Sequence, residues 1–250
     1  MKKKTKHLKK IKQQKVNTNI PLPPTQRPII TKIKLITTTL LQNIPLFWEK
    51  IKYHKRRNLL SKKDIFKIYL KIRKGDIILA GNLKSPTNLL IAGAVTHAAL
   101  YLGRGKIIHA IGSGVEYTKL RHFVKTYDTI ALLRLPKKIP QRRHIIKNAI
   151  HYAKQQLGQP YDNFFQRESK HFFCTGLVNT SFQKAGYKTG LENIKPFRST
   201  LSKIEKEFLI VDHWLKPAEF VYGNFSIIFI SHNLAYNGKE ILIRADALTK

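Results

Sequence analysis

The chain has 250 residues, 42% of them hydrophobic, so it can bury a core of its own and is not a wholly disordered protein. Its 47 Lys and Arg residues against 14 Asp and Glu residues give a net charge of +33, which favours anionic partners and says nothing about the fold. The single cysteine excludes an internal disulfide and makes a cysteine-rich zinc site a poor interpretation.

The excess of positive charge belongs mainly to the N-terminal part of the chain. Residues 1–74 contain 22 Lys and Arg residues and only two acidic residues, Glu49 and Asp64. The start of the chain is too charged to fold alone and lacks the apolar segment of a secretion signal. The apolar and basic segment after the Pro-rich stretch PLPPTQRP is a poor transmembrane span. It is expected either to lie flat on an anionic membrane or to pack on the domain.

From residue 71 onward, short strand and helix patterns follow one another. KGDIILAG predicts a strand, SPTNLLIAGAV a short helix, and THAALYLGRGKIIHAIGSG two strands around a Gly-Arg-Gly turn. TKLRHFVKTY is then helical, TIALLRL a strand, and QRRHIIKNAIHYAKQQLG and FFCTGLVNTSFQKAG amphipathic helices. The stretch 187–222 is expected to be irregular, SIIFIS predicts a final strand, and 232–250 gives no clear pattern. We therefore predict a basic, partly disordered or amphipathic extension over residues 1–70 and one domain over residues 71–250.

A three-residue turn over 103–105 would bring two histidines together. Leu102 would then face Lys106, Ala99 would pair with His109, and His97 would be the diagonal neighbour of His109 on one face of the hairpin. Such neighbours lie ~7–8 Å apart at the backbone, which two imidazole rings can span. A bulge at the glycines would shift one strand by a residue and undo the alignment.

These histidines are candidate partners for the only cysteine. A thiol becomes a nucleophile when an imidazolium and the N-terminal end of a helix stabilise its thiolate. Cys174 heads a predicted helix, His97 is the candidate general base, and His109 is the candidate group that holds His97 in the right tautomer. The backbone N–H of Cys174 and the hydroxyl of Tyr161 are candidate oxyanion donors.

Other interpretations stay open from the residues alone. Cys174 shares helical spacing with four apolar residues, Leu177, Val178, Phe182 and Ala185, so the thiol could simply pack in the core. Glu116 is an alternative orienting group for the base, and His171 lies three residues before the cysteine. Periodicity does not choose among them.

Five segments, in this order, resemble the permuted branch of the NlpC-type papain-fold superfamily, the YiiX/YaeF-like proteins. They are KGDIILAGN, THAALYLGRGKIIHAIGSGVE, TYDTIALLRLP, AIHYAKQQLGQPYD and FFCTGLVNTSFQKAG. In that branch the histidine strand precedes the cysteine helix, the reverse of the order in papain. The resemblance runs from about Lys71 to about Gly186 and does not cover the basic N-terminus.

The resemblance implies an α+β, circularly permuted papain-like fold. A small antiparallel sheet would carry His97 and His109 and pack on the Cys174 helix, with the active site in the groove between them. By position, His97 matches the family's general base and Cys174 its nucleophile. His109 falls where YiiX-like members usually have glutamate, whereas the related lecithin:retinol acyltransferase-like branch has a histidine there, also twelve residues after the first.

A second departure from the family pattern follows the nucleophile. CTGLV stands in place of the commoner Cys-Ser-Glu-Leu-Val, so Thr175 is a conservative change while Gly176 removes a carboxylate. Thr175 and Glu116, together with Tyr161, are expected to line the site. The missing carboxylate weakens any inference of substrate from YiiX relatives.

The resemblance implies thiol-dependent acyl chemistry through a thioester on Cys174, without a metal or an organic cofactor. We expect a hydrolase, amidase or peptidase acting on an amide or ester bond, with an acyltransferase of the same fold as the alternative. A non-catalytic binding module and a basic nucleic-acid-binding protein are the rivals from other classes, and the latter lacks a recognisable recognition motif. The expected partner is a peptide, lipid or small-molecule acyl substrate, with an anionic membrane surface contacted through residues 1–74. No signal peptide is visible, so a cytoplasmic or peripheral membrane location is expected, with secretion as a bacterial effector as the alternative.

Overall fold

The computed structural model describes residues 59–83, 93–161, 172–191 and 215–244. Its helices are α1 (Lys62–Lys71), α2 (Leu120–Thr126), α3 (Arg142–Gln155) and α4 (Cys174–Lys184), with a 3-10 helix over Pro217–Tyr222. Its strands are β1 (Ile77–Gly81), β2 (His97–Gly103), β3 (Lys106–Ile111), β4 (Gly114–Lys119), β5 (Thr129–Arg134), β6 (Ser226–Ile230), β7 (Leu234–Tyr236) and β8 (Ile241–Ile243). Most of the helix predicted in SPTNLLIAGAV, and the N-terminal extension before residue 59, lie outside the described residues.

Six strands form one antiparallel sheet in the order β4-β3-β2-β1-β5-β6, while β7 and β8 form a separate hairpin. In the centre of the sheet, Ile78 of β1 pairs with Ala99 of β2 on one side and with Leu132 of β5 on the other. All of β1 is buried. Both faces of the sheet are therefore covered, and the architecture is the predicted α+β fold.

The first face of the sheet packs against the two longest described helices. Alternate strand residues, among them Leu79 and Leu100, join one hydrophobic cluster with Ile150 of α3 and with the apolar residues of α4. Those α4 residues are Leu177, Val178 and Phe182, at the spacing that places them on one side of a helix. Helix α4 packs directly against β2, β3 and α3.

The second face carries the intervening residues of the same strands. Ala99 and Tyr101 of β2 lie in a second cluster with Ile68 of α1 and with Phe123 of α2. Helix α1 lies before the predicted start of the domain at residue 71, except for its last residue, and yet its Ile68 is fully buried here. The boundary between residues 70 and 71 itself remains a prediction.

The β2–β3 hairpin has a shorter turn than the three residues expected. Gly103 pairs with Lys106, so the turn consists of Arg104 and Gly105, both with positive φ, as the tight turns of hairpins require. A register shift between Tyr101 and Gly103 adds one residue to β2. The two differences compensate, because Leu100 still pairs with Ile108, the register that the longer turn predicts.

Five elements differ from the sequence prediction. Helix α1 lies in a stretch for which no helix was predicted, and strand β4 occupies residues that gave no strand pattern. The 3-10 helix lies in a stretch expected to be irregular, and β7 and β8 lie in the unclear C-terminal region. The remaining strands and helices within the described residues lie where the patterns placed them. None of the described helices is long and apolar enough to span a bilayer.

A buried ion pair fixes the start of β1. Arg134 donates to both carboxylate oxygens of Asp76 over 2.7 Å, and the backbone N–H of Arg73 donates to the same carboxylate. Asp76 is fully buried, so this geometry supplies the partners that a buried carboxylate needs. The ion pair thereby ties the segment Lys-Gly-Asp, which leads into β1, to β5. On its other side, β1 pairs with β2, the strand that begins with His97.

Candidate active site

Strand register brings His97 and His109 onto the same face of the sheet. His97 is the first residue of β2, and it alternates with Ala99 and Tyr101 on the second face. His109 lies in β3, two residues from Ile107, which belongs to the same cluster. Both rings therefore point toward α2.

The two imidazole rings are hydrogen bonded to each other. Nε2 of His97 lies 2.9 Å from Nδ1 of His109, and the ring centroids are 5.1 Å apart. Nε2 of His109 lies 3.0 Å from Oγ1 of Thr118 in β4. A continuous chain of hydrogen bonds therefore runs from β4 through β3 to the first residue of β2, and it engages both ring nitrogens of His109.

Aromatic side chains from the α2 region cover this pair. The ring of Tyr127 stacks parallel to that of His97, with centroids 5.6 Å apart and planes 5° from parallel. Phe123 lies within 6.0 Å of both imidazoles and within 4.6 Å of Tyr127. The orientation of His97 is thus fixed by packing as well as by hydrogen bonding.

This environment keeps the histidines uncharged. Burial lowers the pKa of His109 to about 4. Burial also holds the pKa of His97 well below its ordinary value, and the charge of a protonated His109 would lower it further. At neutral pH the pair is therefore neutral, so His97 has a lone pair with which to accept a proton.

Cys174 is the first residue of α4 and is buried, with 5% of its surface exposed. The residue before it, Phe173, is extended and provides no side-chain cap for the first turn of the helix. The first N–H groups of any helix point away from its other residues, and the thiol sits at the positive end of the helix dipole. The sequence prediction of a helix headed by the cysteine is confirmed at this residue.

A series of backbone contacts brings the start of α4 to one end of the sheet. Val115, near the start of β4, exchanges hydrogen bonds with the stretch that follows α3, through Gly158 and Gln159, each 2.9 Å long. The N–H of Phe172 donates to Pro160 in that same stretch. Gly114 makes this approach possible, because a Cβ there would lie 2.6 Å from the carbonyl oxygen of Gln159.

The same end of the sheet contains the first residue of β2, because β2 and β4 both run antiparallel to β3. Cys174 and His97 are therefore placed at a common end. The sequence analysis expected a groove between the histidine-bearing face and the cysteine helix. The structure differs, because the apolar side of α4 covers the first face while the histidine rings lie on the second. The end of the sheet is thus where thiol and imidazole can meet.

Residues 71–204 match the family described as permuted papain-like amidase enzymes, YaeF/YiiX, the C92 family. The match spans more than half of the chain. The chain belongs to this family. As a permuted papain-like amidase it is a cysteine hydrolase of the amidase class, and the predicted relationship to the YiiX branch is confirmed.

A solved structure similar to this amidase is that of the metalloprotein yiiX from Escherichia coli O157:H7. It is 17% identical, with a TM-score of 0.43, over 70% of this chain and 91% of that chain. No curated protein matches the chain significantly. In the described segments of the amidase, no three His, Cys, Asp or Glu side chains cluster as a metal site requires.

The other candidate residues of the amidase have the following contacts in the structure. Glu116 is the strand partner of His109, but its carboxylate accepts a hydrogen bond from Ser113. The hydroxyl of Thr175 donates to the carbonyl of Leu215 over 2.6 Å and so anchors α4. Tyr161 forms an isolated β-bridge with Phe172, which lies two residues before the cysteine. His171 lies outside the described residues.

Sequence reasoning missed three residues around the pair. Thr118 was not singled out, although alternation along β4 would have placed it on the same face as Glu116 once that strand was recognised. Phe123 lies in α2, within the segment predicted as helical, and Tyr127 follows the last residue of that helix. Their contact with the histidines depends on tertiary packing, for which the sequence contains no local signal.

Proposed function

We propose that the protein hydrolyses an amide or ester acyl bond, with Cys174 as nucleophile and His97 as general base. The observation that supports this most is the hydrogen bond between Nε2 of His97 and Nδ1 of His109. This hydrogen bond engages Nε2 of His97, so that Nδ1 is the ring nitrogen that accepts a proton in the proposed mechanism. The family's amidase chemistry requires a base of this kind next to a thiol.

The tautomers follow from the chain of hydrogen bonds. If Nε2–H of His97 donates to Nδ1 of His109, then Nδ1 of His97 carries a lone pair. Nε2–H of His109 then donates to the hydroxyl oxygen of Thr118. In this arrangement His109 is a positioning residue for the base, the role we inferred for it from the hairpin register.

The reaction then proceeds in two halves. Nδ1 of His97 accepts the thiol proton as the sulfur of Cys174 attacks the acyl carbon, and the N–H groups at the start of α4 stabilise the oxyanion. The imidazolium returns the proton to the leaving amine or alcohol as its bond to carbon breaks, which leaves a thioester. Water, deprotonated by the same nitrogen, attacks the thioester and releases a carboxylic acid and the thiol.

The low pKa values define the resting state of this site. Because burial disfavours the imidazolium form of both histidines, we propose that the resting pair is a neutral thiol and a neutral imidazole. The proton then moves during attack rather than before it. A third residue that is a histidine fits this scheme, since it orients His97 without providing a permanent negative charge.

The decisive experiment measures acylation of the thiol by p-nitrophenyl butyrate. Intact mass should show one butyryl group on the full-length wild type and none on Cys174→Ala. We expect His97→Ala to slow acylation by roughly 10²–10⁴-fold, the range for loss of a general base. His144→Ala, which removes an exposed histidine of α3, is the matched control and should leave the rate unchanged. Equal rates in wild type and a folded His97→Ala protein would overturn the proposal.

An acyltransferase would form the same thioester and pass it to an acceptor other than water. Adding a primary amine or alcohol to the acylated protein separates the two activities, because transfer yields a new amide or ester in place of butyrate. The charge of residues 1–74 supports the further proposal that the acyl substrate is met at an anionic membrane. Sedimentation with anionic vesicles tests it, since equal binding by the full chain and by a chain starting at Leu59, which keeps the buried helix α1, would contradict a tethering role.

A further inference from the structure

A cleft of about 450 Å³ lies where β4 ends and α2 begins. Its lining residues come from one continuous stretch of chain, Tyr117, Thr118, Lys119, Arg121, His122 and Lys125. Helix α2 buries Leu120, Phe123 and Val124 against the sheet. The basic side chains between them are consequently exposed and are held at the cleft by the packing of their neighbours.

The charge of this cleft is not neutralised by the parts of the chain that the structure describes. In those parts, neither Lys119, Arg121 nor Lys125 forms an ion pair with a carboxylate. Three permanent cations and an imidazole therefore line one open cleft. Guanidinium and ammonium groups arranged in this way favour a phosphate group, which accepts several charge-assisted hydrogen bonds at once.

The cleft is linked to the histidine pair by a single hydrogen bond. Thr118 lines the cleft, and its hydroxyl oxygen lies 3.0 Å from Nε2 of His109. On the other side of the same helix turn, Phe123 packs against both imidazoles. An anion held here would therefore act on the hydroxyl that orients His109.

We propose that this cleft is a binding site for a phosphate group, carried either by a lipid headgroup or by a soluble phosphate ester. The inference builds on the proposed function, since it places an anion site beside the group that positions the base. The exposed ring of Tyr117 also lines the cleft. A second basic cleft at the start of α3, lined by Lys137, Gln141, Arg142, Arg143 and His144, makes no contact of this kind with the pair and provides an internal comparison.

Each cleft contains one histidine of its own, so each can be observed separately. Full-length protein labelled with ¹³C at histidine Cε1 is titrated with inorganic phosphate at constant ionic strength, and the resonances are assigned with His122→Gln, His144→Gln and His109→Asn. We expect a saturable shift at His122 and His109. The Lys119→Gln/Arg121→Gln variant should weaken that binding about tenfold or more, as loss of charge-assisted hydrogen bonds does. Lys137→Gln/Arg143→Gln removes the same charge from the other cleft and should leave the affinity unchanged.

A short-chain phosphatidylglycerol kept below its micelle concentration is the second probe. Tighter binding of this lipid than of phosphate identifies a headgroup as the source of the anion, and the reverse identifies a soluble ester. The proposal is overturned if neither probe gives a saturable shift at His122. It is also overturned if both double variants weaken binding equally, which would mark a general effect of net charge. Because the readout is binding, failure here leaves acylation of Cys174 intact and is distinct from failure of the proposed function.

Discussion

Nε2 of His97 and Nδ1 of His109 lie 2.9 Å apart, so one ring donates a hydrogen bond to the other. Two imidazoles in this contact cannot both be charged without strong repulsion, and burial already disfavours the charged form of each. In the proposed mechanism, a histidine in the third position would therefore orient the base without stabilising an imidazolium as a carboxylate would. The predictions below follow from this neutral relay and from the packing around it.

Replacing His109 should separate orientation from packing. We expect His109→Ala to lower the rate of Cys174 acylation by roughly tenfold or more, because His97 loses the acceptor that selects its tautomer. His109→Asn, whose side-chain oxygen can still accept a hydrogen bond, should recover part of the rate. Acylation kinetics with p-nitrophenyl butyrate measure both variants, and an unchanged rate in His109→Ala would show that the pair has no positioning role.

Thr118 should act on the rate through His109. We expect Thr118→Val to slow acylation and to shift the acid limb of its pH profile, since it removes the hydroxyl that lies 3.0 Å from Nε2 of His109 while keeping the side-chain shape. Thr118→Ser keeps the hydroxyl and should behave as the wild type. If valine and serine give the same profile, the threonine serves packing alone.

The free energy of unfolding should decrease as the pH is lowered through the range set by the buried histidines. In the unfolded chain His109 takes up a proton near pH 6.5, whereas in the folded protein its pKa is about 4, so between these values the unfolded state binds more protons. The free energy of unfolding should thus drop by about 3 kcal/mol from pH 6.5 to pH 4. Urea unfolding at several pH values measures this loss. It should be smaller in His97→Asn/His109→Asn, and an identical slope in that variant would contradict the assignment.

Removing only one partner of the ion pair at the start of β1 should lower the free energy of unfolding more than removing both. Arg134→Met leaves the carboxylate of Asp76 buried without its main partner, so we expect a loss of about 3–5 kcal/mol in the free energy of unfolding. Arg143→Met, at an exposed position, is the matched control. The double variant Asp76→Asn/Arg134→Met should lose less than Arg134→Met alone, because it no longer buries an unpaired charge.

Gly176 and Phe173 should be energetically coupled. Alanine in a helix usually adds about 0.5–1 kcal/mol over glycine, but a Cβ at position 176 would lie 3.1 Å from the ring of Phe173. We expect Gly176→Ala to give little or no gain in the wild type and the full gain in a Phe173→Leu background. A double-mutant cycle on thermal unfolding measures the difference, and simple additivity would show that the ring yields without cost.

The histidine contact could be predicted because it depends on local rules. Alternation along two strands and a glycine-containing turn fix which side chains share a face, and the compensating bulge preserved that register. Strand β4 was missed because its six residues, Gly114–Lys119, mix glycine, charge and aromatic groups and give no strand signal in isolation. Pairing with β3 determines that strand, and pairing is a long-range property.

The packing of Phe123 and Tyr127 on the histidines and the location of the Cys174 thiol could not be predicted from the sequence for a similar reason. The helix that contains Phe123 and ends before Tyr127 was predicted, but which face of the sheet receives that helix is decided by the packing of both clusters. The resemblance suggested a groove across one face, whereas the strand register sends the histidine rings to the other. Only the backbone contacts between β4 and the stretch after α3 show that Cys174 is at the end of the sheet.

Those same backbone contacts make the position of the Cys174 thiol depend on local pairing at the edge of the sheet. Val115 exchanges two hydrogen bonds with the chain that follows α3, and this short pairing covers the start of the edge strand β4. If it opens, the edge is exposed to association with other strands, and the start of α4 loses its attachment to the histidine hairpin. Amide exchange at Val115 and loss of acylation at Cys174 should then occur together, so that the competence of the nucleophile and the closure of the sheet edge are one cooperative event.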